Sequence, residues 1–346
     1  MRATPDNSAD QTDGYERLNR KVWRKTDQVS LLDQVDSIIL DIDGVVIDVS
    51  TSFRVAISQT VQLYLTRTLG FTGSEVLISP SESHLFKLTG GYNNDWDLTA
   101  AAILFYMAKA ELLVTSDTHK LKRGGMPLAE FTAAAGRAAG GMHGAMTVLF
   151  PMLTKEQRER VEHRYDRAKI ETLFQELYGG TDYCERLYGH TPTFNKRKGL
   201  LNEERIMLDP AVLAAFAPKV GVLTGRTEEE ARIGLERAGL IDVIPWDRVA
   251  YDSGQAPEMR KPRPGALVKL ARELGGQVTL YVGDVLDDLL VVKNANLEPD
   301  ATSVFLSAII VSPLRRDDAT LFRREGADIV SLDVNEAIRT PSSRRQ

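Results

Sequence analysis

Two aspartates, Asp41 and Asp43, stand one residue apart at the end of a short apolar run and are followed by Gly44. The run Ser37–Leu40 has the length and branching of a buried strand, so both carboxylates fall at its carboxyl edge, where open α/β sheets bind ligands. Carboxylates this close repel each other unless one is protonated or both face a cation. Mg²⁺, which favours oxygen ligands, is the obvious cation. The pattern Asp-x-Asp-Gly also occurs in surface turns and in calcium-binding loops, because Asp and Gly are common turn residues.

A second strand end carries hydroxyl and amide groups. In VGVLTGR, Thr224 follows an apolar strand and Gly225 precedes a helix that begins near Thr227. A hydroxyl and free backbone N–H groups at a helix start suit a phosphate oxygen. The alternative to phosphate binding is that this segment only caps the helix that follows it.

Two further strand ends are charged. Lys261 stands before two prolines that open a helix, where it could act as a point charge for phosphate and aspartate. The strand TLYV is followed by Gly283 and Asp284, and two more aspartates lie at the start of the next helix. Three carboxylates are more than the capping of one helix requires. We expect Asp284 to be a metal ligand and Asp288 to bind or orient water, while Asp287 could simply cap the helix.

Composition sets limits on function. The chain has 346 residues, 43% of them hydrophobic, and a formal net charge of −5, so nothing favours binding to nucleic acid or to an anionic membrane. The only cysteine is Cys184, which excludes an intramolecular disulfide. We found no signal peptide and no spanning segment and therefore expect a cytoplasmic protein.

The order of predicted elements defines an α/β fold. Predicted strands and helices alternate from Lys219 to Ser331, which predicts a Rossmann-like parallel sheet with helices on both faces, joined by the Asp41 strand. The predicted core therefore comprises residues 31–53 and 206–335, with a mainly helical cap inserted at 54–205. We expect residues 1–30 to be flexible or loosely docked, although Tyr15–Gln28 could form a helix, and 336–346 to be a tail.

The inserted region contains three informative stretches. Thr154–Leu177 predicts one amphipathic helix with a capping box formed by Thr154 and Gln157. The glycine-rich stretch Arg123–Met146 is interpreted as a surface insertion or a helix broken by glycines, with a closing lid as the alternative. The polar loop Leu88–Asp97 is either a specificity loop or a helix-entry turn; its candidate substrate-binding residues are Asn93, Asn94 and Trp96.

The four strand-end segments together resemble, in order, the four motifs of the haloacid dehalogenase superfamily. The residues that carry the resemblance are Asp41-Ile-Asp43-Gly44-Val45, Thr224-Gly225-Arg226, Lys261-Pro262, and Gly283-Asp284 with Asp288. The helical insertion looks like the C1-type cap of subfamily I, similar to phosphoglycolate phosphatase-like members.

This resemblance implies a Mg²⁺-dependent phosphatase. Asp41 would form an aspartyl-phosphate, and Asp43 would act as acid and then base. Thr224, Gly225 and Lys261 would hold the phosphoryl oxygens. The metal ligands would be Asp41, the main-chain carbonyl of Asp43 and Asp284, with Asp288 orienting metal-bound water.

Two other functions stay open at this stage, namely a sugar phosphomutase of the same fold and a non-catalytic binding or assembly protein. The expected partner is a small phosphomonoester. Phosphoglycolate, a sugar phosphate, a polyol phosphate and a pathway intermediate such as histidinol phosphate are all compatible with the sequence, and the oligomeric state is unknown.

Overall fold

The computed structural model describes residues 14–92, 94–252, 256–312 and 316–342. The chain divides into two compact units, residues 1–48 with 206–346 and residues 49–205.

In chain order the elements are β1 (Tyr15–Arg17), β2 (Val22–Lys25), α1 (Val29–Leu32), β3 (Ser37–Leu40), β4 (Ile47–Asp48), α2 (Phe53–Leu63), α3 (His84–Lys87), α4 (Asp95–Leu113), α5 (Thr118–Arg123), α6 (Leu128–Arg137), α7 (Gly141–Leu149), α8 (Lys155–Arg164), α9 (Arg167–Tyr188), β5 (Arg205–Ile206), β6 (Val220–Leu223), α10 (Glu228–Arg237), β7 (Val249–Ala250), α11 (Gly265–Leu274), β8 (Val278–Gly283), α12 (Leu286–Ala295), β9 (Val304–Ile310), α13 (Asp318–Arg324), β10 (Ile329–Ser331) and α14 (Val334–Ser342).

The first unit contains an eight-stranded sheet in the order β1-β2-β10-β9-β8-β3-β6-β7. The six strands from β10 to β7 are parallel, with Leu40 of β3 opposite Val282 of β8 and Val222 of β6. Parallel strands buried on both faces read as continuous apolar runs, as the Ile38–Leu40 segment does. The predicted Rossmann-like parallel sheet is therefore confirmed.

The core lies on both faces of the central strands. On one face, Ile39, Tyr281 and Phe305 pack in a cluster with apolar residues of α11 and α12. The alternate residues of β3, Ile38 and Leu40, point to the opposite face and are also fully buried. The central strands are consequently rigid supports for whatever follows their carboxyl ends.

The N-terminal segment differs from the prediction. The alternative of a helix over Tyr15–Gln28 is wrong, because β1 and β2 form an antiparallel hairpin whose second strand pairs with β10. Trp23 packs against a core cluster that includes Phe322. Residues 15–25 are thus part of the sheet rather than a loosely docked lead-in. The pairing partner lies about 300 residues away in sequence, so no local pattern announces it.

The C-terminal tail also differs from the prediction. Helix α14 runs through the expected tail as far as Ser342 and buries Ala337 and Ile338. The remaining residues of that tail, 343–346, lie outside the described part of the chain.

The second unit is mainly helical, but the single helix predicted over Thr154–Leu177 is wrong. The predicted capping box of Thr154 and Gln157 begins α8, and the chain then breaks before Asp166 caps α9. The break is stabilised by Tyr64, whose hydroxyl accepts from the Asp166 N–H and donates to the Arg164 carbonyl, both at 2.7 Å.

The glycine-rich stretch of the second unit forms two helices, α6 and α7, separated at Gly140. The interpretation as a helix broken by glycines is confirmed, and Phe131 and Ala145 of these helices are buried. Among the helices of the described ranges, none combines the length and apolar character needed to cross a membrane.

Candidate active site

Asp41 is the first residue after β3 and is 4% exposed. Its Oδ1 accepts from the Ile42 N–H at 2.7 Å, and its Oδ2 accepts from Lys261 Nζ at 2.7 Å. Burial raises the pKa of Asp41 to about 6; Lys261 opposes this shift, and the nearby carboxylates of Asp288 and Asp43 add to it. At neutral pH the group is therefore a buried carboxylate held in one orientation.

Lys261 lies between two carboxylates. Its Nζ donates to Asp41 and, at 2.8 Å, to Oδ1 of Asp288, and its side chain is 1% exposed. Burial alone would lower the pKa of Lys261, but the two aspartates outweigh it and the pKa lies well above the usual value. The lysine is thus a fixed, fully charged cation beside Asp41.

Asp288 is completely buried at the start of α12 and accepts four hydrogen bonds. Oδ1 accepts from Lys261 and from the Tyr281 hydroxyl at 2.9 Å, and Oδ2 accepts from the N–H groups of Asp284 at 2.9 Å and Val285 at 3.1 Å. Four donors fill the lone-pair sites of a carboxylate. Asp288 therefore orients Lys261 and the loop that carries Asp284.

A carboxylate cluster suited to a cation lies at the same edge. One oxygen from each of Asp41, Asp284 and Asp288 can be chosen so that all three lie within 4.8 Å of one another. Gly44, with φ of +71°, leaves the space that Asp284 fills. The local chain geometry thus brings Asp284 towards the Asp41 loop.

Thr224 follows β6 and is 3% exposed. Its backbone N–H donates to the Ala250 carbonyl at 2.9 Å, and its hydroxyl oxygen accepts from the Arg226 N–H at 3.2 Å. The N-terminal cap of α10 is Thr227. Plain capping therefore does not explain Thr224, whose hydroxyl hydrogen remains available for another acceptor.

Asp43 is paired with Arg226, a contact that the sequence did not reveal. Nε of Arg226 donates to Oδ1 of Asp43 at 2.8 Å, and Nη2 lies 2.7 Å from the same oxygen. The Arg226 side chain is 1% exposed, whereas the Asp43 side chain is 28% exposed. The only sequence signal for this pair is the arginine directly after Thr224-Gly225.

Tyr281 is the other contributor that sequence reasoning missed. It lies in the middle of β8, and burial raises its pKa well above the usual value, so it is a neutral donor to Asp288. A single tyrosine in the apolar strand TLYV was the available signal.

Two of the three candidate substrate residues have partners within the second unit. Asn94 caps α4 by accepting from the Trp96 N–H at 2.8 Å, and the Trp96 ring packs edge-on against Tyr188 at 6.2 Å. Both contacts fit a helix-entry turn. Asn93 lies outside the described residues. Substrate contact by these three residues stays a prediction.

Six charged side chains thus meet at the carboxyl edge of β3, β6 and β8. Parallel strands end at one edge of the sheet, which is why segments distant in sequence converge there. Four of the side chains carry carboxyl groups and two are cations, so the edge is rich in the oxygen ligands that a divalent cation prefers. These side chains are Asp41, Asp43, Asp284, Asp288, Arg226 and Lys261.

Comparison with known families agrees with this arrangement. The profile of the haloacid dehalogenase-like hydrolases matches residues 35–296, which is most of the chain and contains all four strand-end segments. The chain therefore belongs to the haloacid dehalogenase-like hydrolase family, and the predicted family is confirmed.

Individual relatives are distant. The chain is 26% identical over 264 residues to an imidazoleglycerol-phosphate dehydratase of Phytophthora nicotianae, covering 75% of this chain and 42% of that protein. It spans less than half the length of that relative.

Two solved structures share the fold. Phosphatase Tt82 from Thermococcus thioreducens is 23% identical, with a TM-score of 0.55 and coverage of 87% of this chain and 97% of that one. A structural-genomics X-ray structure is 18% identical, with a TM-score of 0.54 and the same coverage.

Proposed function

We propose that this hydrolase is a phosphatase that cleaves a small phosphomonoester through an aspartyl-phosphate on Asp41. The observation that carries the proposal is the position of Lys261 Nζ, 2.7 Å from Oδ2 of a buried Asp41 and beside the carboxylate cluster. A nucleophilic carboxylate that attacks an anionic phosphate needs such a fixed positive charge next to it.

The donor set at this edge fits Mg²⁺. It consists of hard carboxylate oxygens, which this ion prefers, and Gly44 provides the space that lets Asp284 approach. We propose Asp41 and Asp284 as side-chain ligands and the Asp43 carbonyl as a main-chain ligand. Asp288, whose oxygens already accept four hydrogen bonds, then acts on the site through Lys261. Bound Mg²⁺ would supply positive charge beside the phosphoryl group.

Two displacements complete the reaction. A carboxylate oxygen of Asp41 bonds to phosphorus while the bond from phosphorus to the ester oxygen breaks, and Asp43 gives its proton to the departing oxygen. Water then attacks the phosphorus of the aspartyl-phosphate, Asp43 takes a proton from that water, and the bond to Asp41 breaks. Inorganic phosphate leaves, and both aspartates return to their starting states.

Thr224, Gly225 and Lys261 are suited to hold the phosphoryl oxygens. The Thr224 hydroxyl accepts from a backbone N–H, which leaves its hydrogen to donate to an oxygen of the substrate. Lys261 has a third ammonium hydrogen beyond the two directed at Asp41 and Asp288. Together they would stabilise the charge that develops in the transition state.

The substrate identity is best sought among metabolite phosphates. We propose that the helical unit of residues 49–205 acts as a cap that selects the leaving group. The relative from Phytophthora nicotianae is named for a phosphomonoester that carries an imidazole ring. Imidazole glycerol phosphate and histidinol phosphate therefore belong in the panel, with phosphoglycolate and sugar and polyol phosphates.

The test is phosphate release from this panel with Mg²⁺ and with EDTA, for the wild type and Asp41→Asn. We expect metal-dependent release from one or two compounds and a loss of at least about 10³-fold in the variant, because the nearly isosteric amide is not a nucleophile. The variant should still fold, as circular dichroism would show, because the amide keeps the shape of the carboxylate. Turnover by Asp41→Asn at the wild-type rate would remove Asp41 as the nucleophile.

A further inference from the structure

Arg226 is almost completely buried, whereas its partner Asp43 is partly exposed. The Arg226 side chain is 1% exposed and contacts Asp43 at the edge of the sheet, and the Asp43 side chain is 28% exposed. A third nitrogen, Nη1, donates to the Glu230 carbonyl in the first turn of α10 at 3.3 Å. The arginine is therefore anchored in the protein interior and reaches outward to Asp43.

The surrounding residues leave space for this arginine. A methyl group on Gly234, one turn further along α10, would lie 3.2 Å from Nη1 of Arg226. Burying a guanidinium costs several kcal/mol unless it is paired with an anion, so the contact with Asp43 is needed to offset the burial of Arg226. A salt bridge at the protein surface would need no such accommodation.

The geometry of the pair is unusual for a contact that serves stability alone. Strong arginine–carboxylate pairs use both carboxylate oxygens in a fork. Here both Nε and Nη2 of Arg226 converge on Oδ1 of Asp43. Within the described ranges, Oδ2 of Asp43 has no hydrogen-bond partner.

We propose that Arg226 is a positioning residue that holds Asp43 by Oδ1 and reserves Oδ2 for proton transfer. Oδ1 can accept from the guanidinium whether Asp43 is ionised or carries a proton on Oδ2, so the same contact persists through both displacements. Arg226 would act on the reaction through Asp43, because its own side chain is only 1% exposed. This inference rests on the proposed phosphatase function and on the role of Asp43 in it.

The test exploits leaving groups that differ in their need for a proton. Phenyl phosphate releases a poor leaving group that needs a general acid, whereas dinitrophenyl phosphate releases a good one that does not. We would measure kcat/KM for both esters with Mg²⁺ and take their ratio as the readout. Asp43→Asn should raise the ratio, dinitrophenyl over phenyl, by about 10²-fold or more, the usual contribution of general acid catalysis.

Arg226→Met should raise the ratio by about 10²-fold as well, because a displaced general acid loses a similar factor. Adding Arg226→Met to Asp43→Asn should leave the ratio at the value for Asp43→Asn. Arg226→Lys keeps the buried charge but cannot reproduce two guanidinium contacts, so its ratio should lie between the wild type and Asp43→Asn. It serves as the variant to compare if Arg226→Met does not fold.

The matched control is Arg232→Met, the same change on the exposed side of α10, where the arginine pairs with Glu228 and stacks on Trp246. It should keep the wild-type ratio. A uniform loss for both esters in the Arg226 variants, or a ratio effect that adds fully to that of Asp43→Asn, would overturn the inference while leaving the phosphatase proposal intact. Failure of the wild type to hydrolyse either ester or any phosphate of the panel would overturn both.

Discussion

Gly44 and Asp284 approach so closely that a methyl group on Gly44 would lie 2.2 Å from Oδ2 of Asp284. The glycine has φ of +71°, a conformation that L side chains rarely adopt. The glycine after the two aspartates therefore serves two purposes, since it turns the chain and admits the carboxylate from the loop after β8. A residue that only turned the chain would not also need to leave space for Asp284.

Gly44→Ala should accordingly weaken metal binding. The methyl group would displace Asp284 from the cluster, and we expect at least a tenfold loss of Mg²⁺ affinity by calorimetric titration, in the range found when groups supporting a metal site are removed. Gly275→Ala is the matched control, because that residue also has positive φ, +65°, but has nothing within 4 Å of the added carbon. Both variants should lose about 1–2 kcal/mol of stability to the positive φ. Gly44→Ala should lose more, because of the clash with Asp284, and it alone should lose metal affinity. Equal Mg²⁺ affinities would contradict the assignment of Asp284.

The buried bridge of Asp288, Lys261 and Asp41 predicts a large stability effect. In Asp288→Asn an amide nitrogen would face either the lysine or the backbone N–H groups, so one buried set of donors would lose its acceptor. We expect a loss of about 3–5 kcal/mol in the free energy of unfolding, measured by urea denaturation.

Tyr281→Phe removes a single donor to the same carboxylate and should cost only about 1 kcal/mol. If the two variants were equally stable, Asp288 would not be the acceptor that holds this network together.

Metal affinity should depend on pH because Asp41 must lose its proton to bind a cation. Burial raises the pKa of this carboxyl to about 6, so below that pH the protonated form prevails and competes with Mg²⁺. We expect the association constant to fall about fivefold between pH 6 and 5, to approach a tenfold fall per pH unit at lower pH, and to change little above pH 7. Calorimetric titrations at several pH values would show this, and Asp41→Asn should flatten the dependence. A constant affinity from pH 5 to 7 in the wild type would be inconsistent with the raised pKa.

In the second unit, two glycine pairs let two loops cross. A methyl group on Gly91 would lie 2.7 Å from the backbone nitrogen of Gly141, and one on Gly140 would lie 2.6 Å from the carbonyl oxygen of Gly90. The Tyr92 hydroxyl donates to the Gly141 carbonyl at 2.7 Å beside this crossing. The glycines between α6 and α7 therefore allow this junction to pack closely against the loop before α4.

Gly91→Ala should destabilise this crossing by about 1–3 kcal/mol through overpacking, in addition to the penalty for positive φ. Gly189→Ala, with φ of +73° and nothing within 4 Å, carries that penalty alone and is the control. Hydrogen exchange should rise at residues 88–92 and 138–145 in Gly91→Ala only. The same exchange pattern in both variants would show that the crossing contributes nothing.

Much of the first unit could be predicted from local sequence. The strands of the parallel sheet are continuous apolar runs, and a polar residue that follows such a run must lie at the carboxyl edge. Asp41, Thr224 and Asp284 were placed in this way, and Lys261 from the two prolines that follow it, without knowledge of the strand order. The capping box of Thr154 and Gln157 was equally local.

Other features depend on contacts between distant segments, and only the tertiary structure decided them. Strand β2 forms because it pairs with β10, and β1 pairs with β2 in turn. The break before α9 depends on the hydroxyl of Tyr64. The sequence by itself determined the family, the strand ends and the kinds of side chain at the site. The tertiary structure decided that Arg226 holds Asp43 and that Asp288 holds Lys261, because side-chain partners depend on the direction in which each group leaves the backbone, which residue types and spacing do not encode.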